Sequence, residues 1–206
     1  LDRAGARPHR VTVGVYDRDL SDGRTLTLRE RYDIDVPEGG APEPRPGIRP
    51  ALVVPNDLDL TYAKIRLDET SLETVLRGLS GIPDALTRAV VWNSLRDMVR
   101  DGDLAPADYL ATAAAHLPEE TDLALVQGVL AFAGAQIADR YLHPDDRPAA
   151  LTTLTALARD LLRRTEDGDN PGLRLIAVRQ FVDAAAHPDT IAAWLADGMV
   201  PGGPEL

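Results

Sequence analysis

The spacing of apolar residues changes once along this chain, near Asp68, and that change limits the folds available to it. Before Asp68, apolar and polar residues alternate, most clearly over 11–16, which is the period of a strand with one buried face. After it, apolar residues recur three and four positions apart, as on an amphipathic helix. The first such stripe is Leu72, Val75, Leu76 and Leu79. These patterns predict an α+β protein in two parts.

The first part, residues 1–69, is predicted to be a small antiparallel β-sandwich. A tight turn at Asp22-Gly23 joins the first two strands into a hairpin. The stretch 37–50 is rich in proline and glycine and is predicted to be a loop. Strands are predicted at 11–16, 26–36, 51–54 and 62–67.

The second part, residues 70–206, is predicted to be entirely α-helical. The helices are expected near 72–79, 83–100, 106–116, 122–142, 146–164, 171–186 and 190–197. In the second of them, Pro83 is expected at the first position and Leu86, Val90 and Met98 on the inner face. Short helices without a sustained heptad favour antiparallel pairs stacked in a superhelical, HEAT-like array, or else an irregular bundle. Stacked arrays normally end in a polar capping helix, so this one is expected to be truncated and to continue past Leu206.

The charge balance limits the partners that the chain can bind. Its net charge is −11, which opposes binding to nucleic acid. It has no cysteine, no long charge-free apolar stretch and no basic-then-apolar leader, so we expect a cytoplasmic protein without membrane contact. The chain does not begin with methionine, and we expect it to be an excised piece of a longer protein.

No residue pattern in the sequence points to catalysis. The histidines are His9, His116, His143 and His187. No two of them lie four residues apart, so the H-E-x-x-H arrangement of a zinc hydrolase is missing. Cysteine nucleophiles, G-x-S-x-G elbows and phosphate-binding glycine loops are missing as well. We therefore predict no catalytic residue, no metal ligand and no cofactor in this chain.

Several polar and aromatic residues have ordinary structural interpretations. Asn56, Asp57 and Asp59 lack the glycine and glutamate of a calcium loop, and turn chemistry explains them better. Glu119-Glu120 is expected at the solvated start of a helix, and His143 and His187 at helix ends. Large rings at helical spacing usually pack in the core, which is the prediction for Trp92 and Trp194.

Three passages resemble a known family. Residues 7–17 and 52–68 resemble the β-sandwich domain that follows the catalytic domain in actinobacterial aminopeptidase N enzymes. Residues 92–102 resemble an early helix of the C-terminal superhelical domain of the same family. The order of sandwich and then helices agrees with the change of period.

The resemblance implies a noncatalytic fragment of a zinc-dependent aminopeptidase that removes N-terminal residues from peptides. The fragment would be scaffold and would cap the cleft. Its partners would be the upstream catalytic domain of the same polypeptide and, in the parent, peptide substrates. The zinc would belong to the parent, and the fragment alone should be inactive.

Tyr62 and Lys64 are the candidate contact residues. Lys64 is the only lysine against 21 arginines, and a lysine that persists in such a background hints at a need for an ammonium group. The segment is expected at the junction of sandwich and helices, where it would contact substrate or the rest of the parent enzyme. The alternative function is a free-standing helical module that binds a protein or peptide on a concave face.

Overall fold

The computed structural model describes residues 8–37, 49–166, 168–184 and 188–198. The strands are β1 (His9–Arg18), β2 (Leu26–Val36) and β3 (Leu52–Pro55). The helices are α1 (Glu69–Gly78), α2 (Ala85–Asp101), α3 (Pro106–His116), α4 (Leu123–Phe132), the π-helix (Ala133–Tyr141), α5 (Arg147–Arg163), α6 (Pro171–Asp183) and α7 (Pro188–Asp197). Single 3₁₀ turns cover Leu79–Gly81 and Leu117–Glu119. The α+β class is confirmed.

The described strands form one antiparallel sheet in the order β2-β1-β3. β1 is central, and its Val13 lies opposite Tyr32 on one side and Pro55 on the other. The predicted turn at Asp22-Gly23 joins β1 to β2, with Gly23 in the left-handed region at φ 64°. The Asp22 carboxylate accepts hydrogen bonds from the Thr25 hydroxyl and from two backbone N–H groups, and these lower its pKa to about 2.

The predicted fourth strand is wrong, and the described residues contain one layer of the predicted sandwich. Residues 62–67 lie outside any strand or helix, and the described residues form a single sheet of three strands. The alternation that suggested a strand is real, because Leu67 is buried while Lys64 and Arg66 are exposed. Alternation reports an extended segment with one buried face, and it does not require a neighbouring strand.

The start of α2 also differs from the prediction. Asp84 caps this helix by accepting from the Thr87 backbone N–H, so Pro83 lies before the helix rather than at its first position. Val90 and Met98 are buried as predicted, but Leu86 is 43% exposed. The inner stripe runs through Thr87, Val91, Leu95 and Met98, and includes the predicted core residue Trp92. Leu86 lies beside this stripe and faces outward.

Two compact units make up the chain, Leu1–Asp103 and Leu104–Leu206. The predicted boundary at 69/70 separates strands from helices, whereas the units divide after α2. The reason is that α1 and α2 are bonded to the sheet: the Val53 N–H donates to Ser71 Oγ at 2.9 Å, and Thr87 Oγ1 lies 2.7 Å from Asp57 Oδ1.

The second unit follows the predicted helix signals closely. Pro106 begins α3, and Asn170 caps α6 ahead of Pro171 by accepting from the Leu173 N–H. The predicted helix over 122–142 is one continuous run whose second half is the π-helix. The Trp194 ring packs 4.1 Å from the Phe181 ring, which confirms its place in the core. The predicted end of α6 at residue 186 lies outside the described residues.

Candidate functional site

The segment after β3 is held in a fixed conformation by its own side chains. Asn56 and Asp59 both adopt left-handed backbone angles, at φ 57° and 52°. The Asn56 amide accepts from the Thr61 N–H at 3.1 Å and donates to the Thr61 carbonyl at 2.7 Å. The Thr61 hydroxyl in turn donates to the Arg10 carbonyl of β1. The turn interpretation of Asn56 and Asp59 is confirmed.

Two ion pairs connect the segment 62–67 to the C-terminal end of α2 and the residues just after it. Lys64 Nζ lies 2.6 Å from Asp101 Oδ1, and Arg66 lies 3.0 Å from Asp103. The hydrogen bond to Asp101 raises the pKa of Lys64. Both pairs are solvent-accessible, so each contributes little to stability, but together they orient the segment. Lys64 thus has a partner within the chain.

A groove of about 510 Å³ lies between this segment and α2. The wall from the segment includes Tyr62 and Lys64, so the structure brings both predicted contact residues to one site. The opposite wall is polar and is formed by Asn93, Arg96, Asp97 and Arg100. The Tyr62 side chain is fully exposed, and the nearby Leu60 is largely exposed too. The groove therefore has a polar wall on α2 and an uncovered aromatic ring, Tyr62, on the opposite wall, and Leu60 is exposed two residues before that ring.

Beneath this region lies a buried polar cluster that sequence reasoning missed. Asp57, predicted as a turn residue, has no exposed side-chain surface. Its carboxylate accepts from Tyr16 Oη at 2.9 Å and from Arg31 Nε, with Thr87 Oγ1 at 2.7 Å. Burial raises the pKa of Tyr16, and the adjacent Asp57 carboxylate adds to the rise. The cluster joins β1, β2 and α2, and no periodicity signals it because its members are 15 to 71 residues apart.

For Glu119 and Glu120, the predicted position before a helix is correct, but the predicted solvent exposure holds only for Glu119. Glu120 lies before α4, and its carboxylate accepts from the Thr121 and Asp122 N–H groups, as expected at a helix start. It is buried rather than solvated, however, while Glu119 is exposed. Hydrogen bonds from these backbone N–H groups replace those that water would make, so the Glu120 carboxylate can be buried.

The described residues do not fit a zinc site. His9 lies on β1, His116 is buried at the end of α3, and His143 follows the π-helix. His187 is outside the described residues. Within the ranges that the structure describes, no three His, Cys, Asp or Glu side chains gather in a way that would hold a metal ion. In those same ranges, no helix is long and apolar enough to cross a membrane.

Sequence comparison assigns the chain to a family. The profile of the ERAP1-like C-terminal domain matches residues 52–196, which include the groove segment and the described helices from α1 into α7. The chain belongs to the ERAP1-like C-terminal domain family. It is also 36% identical over 196 residues to aminopeptidase N of Streptomyces lividans. That alignment covers 95% of this chain and 22% of the relative, so the chain spans about a fifth of the relative's length.

These matches confirm the resemblance to the C-terminal portion of aminopeptidase N enzymes. The profile begins at Leu52, inside the predicted sandwich part, and runs through the helices into α7. The ERAP1-like C-terminal domain of this chain therefore includes β3, the Asn56 turn and both units' helices, rather than the helical part alone.

Proposed function

We propose that this chain is a noncatalytic portion of a zinc-dependent aminopeptidase, in which it serves as scaffold and caps the catalytic cleft. The observation that carries the proposal is the match to aminopeptidase N along 95% of this chain but only 22% of that relative. The parent enzyme would remove N-terminal residues from peptides in the cytoplasm. Zinc and the residues that hold it would lie in the upstream catalytic domain, since the described residues here do not fit a zinc site.

The groove is the proposed contact surface with that catalytic domain. Tyr62 and Leu60 expose large apolar side chains on a segment that Asn56, Lys64 and Arg66 hold rigid. Exposed aromatic side chains on a fixed backbone suit a protein interface, because they lose little conformational freedom on binding. Lys64 takes part by holding Asp101 and the groove edge in place.

The sheet offers a second surface toward the upstream polypeptide. Val11, Val13 and Val15 share one face of β1, and residues opposite Val11 and Val13 on β2 are Ile34 and Tyr32. Those two are only partly covered. The three valines themselves are already buried. We propose that upstream strands cover the β2 side of this face and complete a β-sandwich, and that the helices form the first part of a HEAT-like array.

A complementation experiment tests the proposal. The coding sequence upstream of Leu1 is first read for an H-E-x-x-H segment. The parent polypeptide is then expressed intact and with this chain deleted, and hydrolysis of aminoacyl 4-nitroanilides is measured with the chain supplied separately. We expect no turnover by the chain alone, reduced turnover by the deleted parent, and recovery when the two are mixed.

Variants of the groove separate docking from folding. Tyr62→Ser should weaken association with the deleted parent by roughly tenfold while leaving the free energy of unfolding nearly unchanged. Leu20→Ser is the matched control, because Leu20 is 98% exposed and lies outside the groove. Turnover that copurifies with the chain itself would refute the noncatalytic assignment. A start codon directly before the chain would favour the free-standing peptide-binding module.

A further inference from the structure

A second cleft, of about 400 Å³, lies within the helical unit. Its walls come from α4, the π-helix, α5 and α6, and its apolar part includes Leu130, Leu151 and Leu154. The volume falls in the range of roughly 300–1,000 Å³ that is typical of ligand pockets. A π-helix is uncommon and occurs frequently at functional sites, because the wider turn displaces side chains from their helical positions.

One residue that lines the cleft carries a side-chain amide without a hydrogen-bond partner among the described residues. Gln180 is only 8% exposed, yet no hydrogen bond reaches its side chain from the residues that the structure describes. Its Nε2 lies 4.0 Å from the place that a Cβ on Gly134 would occupy, so the glycine leaves the space beside the amide open. The oxygen and nitrogen of this amide are not fully covered, so they can bond to water or to a ligand in the cleft.

The rim of the cleft is acidic. Asp139 is paired with Arg147 at 2.8 Å. Asp183 also lines the cleft, is exposed, and makes no ion pair within the described ranges. Arg147 is thus already matched by Asp139, and Asp183 leaves one negative charge at the rim.

We propose that this cleft binds a basic side chain of a polypeptide segment. The leucines would contact the aliphatic part of the side chain, Asp183 would pair with its cationic head, and the Gln180 amide would pair with a peptide group, which has one donor and one acceptor. This site is separate from the groove at Tyr62 and does not depend on the proposed aminopeptidase function.

The test is a titration of the whole isotope-labelled chain, followed by NMR at the Gly134 amide and the Gln180 side-chain NH₂. The probe is Nα-acetyl-arginine methylamide. Nα-acetyl-leucine methylamide lacks the cation, and agmatine lacks the peptide groups. We expect saturable shifts at both signals, with a dissociation constant on the order of millimolar for the arginine probe and weaker binding of the other two.

Variants locate the binding. Asp183→Asn should weaken binding of the arginine probe by about two- to fivefold, as for an exposed ion pair. Glu166→Gln, an exposed carboxylate outside the cleft, is its control. Ala135→Leu should fill the cleft and weaken binding by at least about fivefold, whereas Ala156→Leu, on an exposed part of α5, should not.

Three results would overturn the proposal. The first is no saturable shift with the arginine probe. The second is equal binding of the leucine probe or of agmatine, which would show that the cation or the peptide group is not recognised. The third is unchanged binding in Ala135→Leu, which would place the probe elsewhere.

Discussion

Gly14 on β1 lies directly against the buried carboxylate of Asp57: a Cβ built on Gly14 would stand 2.4 Å from Asp57 Oδ2. It would also stand 2.8 Å from the Tyr16 ring. Neither neighbour is free to withdraw, because Tyr16 and Asp57 are bonded to each other and both are buried. The glycine is needed for the close approach of two groups rather than for its backbone angles.

We expect Gly14→Ala to lower the free energy of unfolding by about 1–3 kcal/mol, as overpacking a rigid site does. Urea unfolding followed by circular dichroism measures the loss. Gly78→Ala is the matched control in the same unit, because its Cβ would meet only the flexible Arg18 guanidinium, at 3.6 Å. Equal stability of the two variants would show that the Asp57 cluster can shift to accept a methyl group.

Asp57 and Asp59 should respond very differently to the same change. Asp57→Asn removes the charge that faces Arg31 and an acceptor for Tyr16, and should cost about 2–4 kcal/mol, because Arg31 is partly exposed and recovers some hydration. Asp59→Asn should be nearly neutral, since asparagine tolerates the left-handed angle found there. Similar losses from both substitutions, measured by chemical denaturation, would contradict a special role for the cluster.

The cap of α2 should make stability depend on acid. The Thr87 N–H donates to the Asp84 carboxylate and holds the pKa of Asp84 below its usual 3.8. Folding therefore favours the ionised form, so the contribution is complete above about pH 4 and is lost as the pH falls through the lowered pKa. Asp84→Ala should cost about 1 kcal/mol at pH 7, and the difference from wild type should shrink as the pH falls through the lowered pKa of Asp84. A constant difference across that range would mean that the carboxylate charge is not involved.

The division of the chain into two units after α2 predicts which backbone amides lose protection from hydrogen exchange together. Val75 is fully buried in α1, so Val75→Asp places a carboxylate in an apolar site and should cost several kcal/mol. Amides of β1, α1 and α2 should then exchange faster in hydrogen exchange, while those of α5 remain protected. Leu86→Asp, at an exposed position of α2, should change neither set. Loss of protection confined to the helices would instead support the boundary at 69/70.

Periodicity predicted most of the helices and strands correctly, but it also suggested a strand at 62–67 that does not form. The hairpin at Gly23, the inner residues Val90 and Met98, and the cap at Asn170 all follow from local signals. The apolar stripe predicted for α1 does mark the inner side of that helix, but Val75 is fully buried whereas Leu76 is only partly covered.

Local signals could not predict relationships between distant segments. Whether 62–67 forms a strand depends on a neighbouring strand, and the Lys64–Asp101 pair joins residues 37 positions apart. The burial of Asp57 depends on Tyr16, Arg31 and Thr87 converging from three elements. The groove at Tyr62 could be suggested only as a contact segment, since its opposite wall lies on α2.

The central position of β1 has a consequence for the order of folding. β2 follows β1 through a short turn, so pairing these two strands closes only a small loop of chain. β3 is separated from β2 by the long 37–50 connection, so its pairing with β1 closes a much larger loop. The contact between Tyr16 and Thr87 spans 71 residues and carries the largest closure entropy among these contacts. The hairpin should therefore form early, and the Asp57 cluster should close after the rate-limiting step. Substitutions at Thr87 would then act mainly by speeding unfolding, with little effect on the refolding rate.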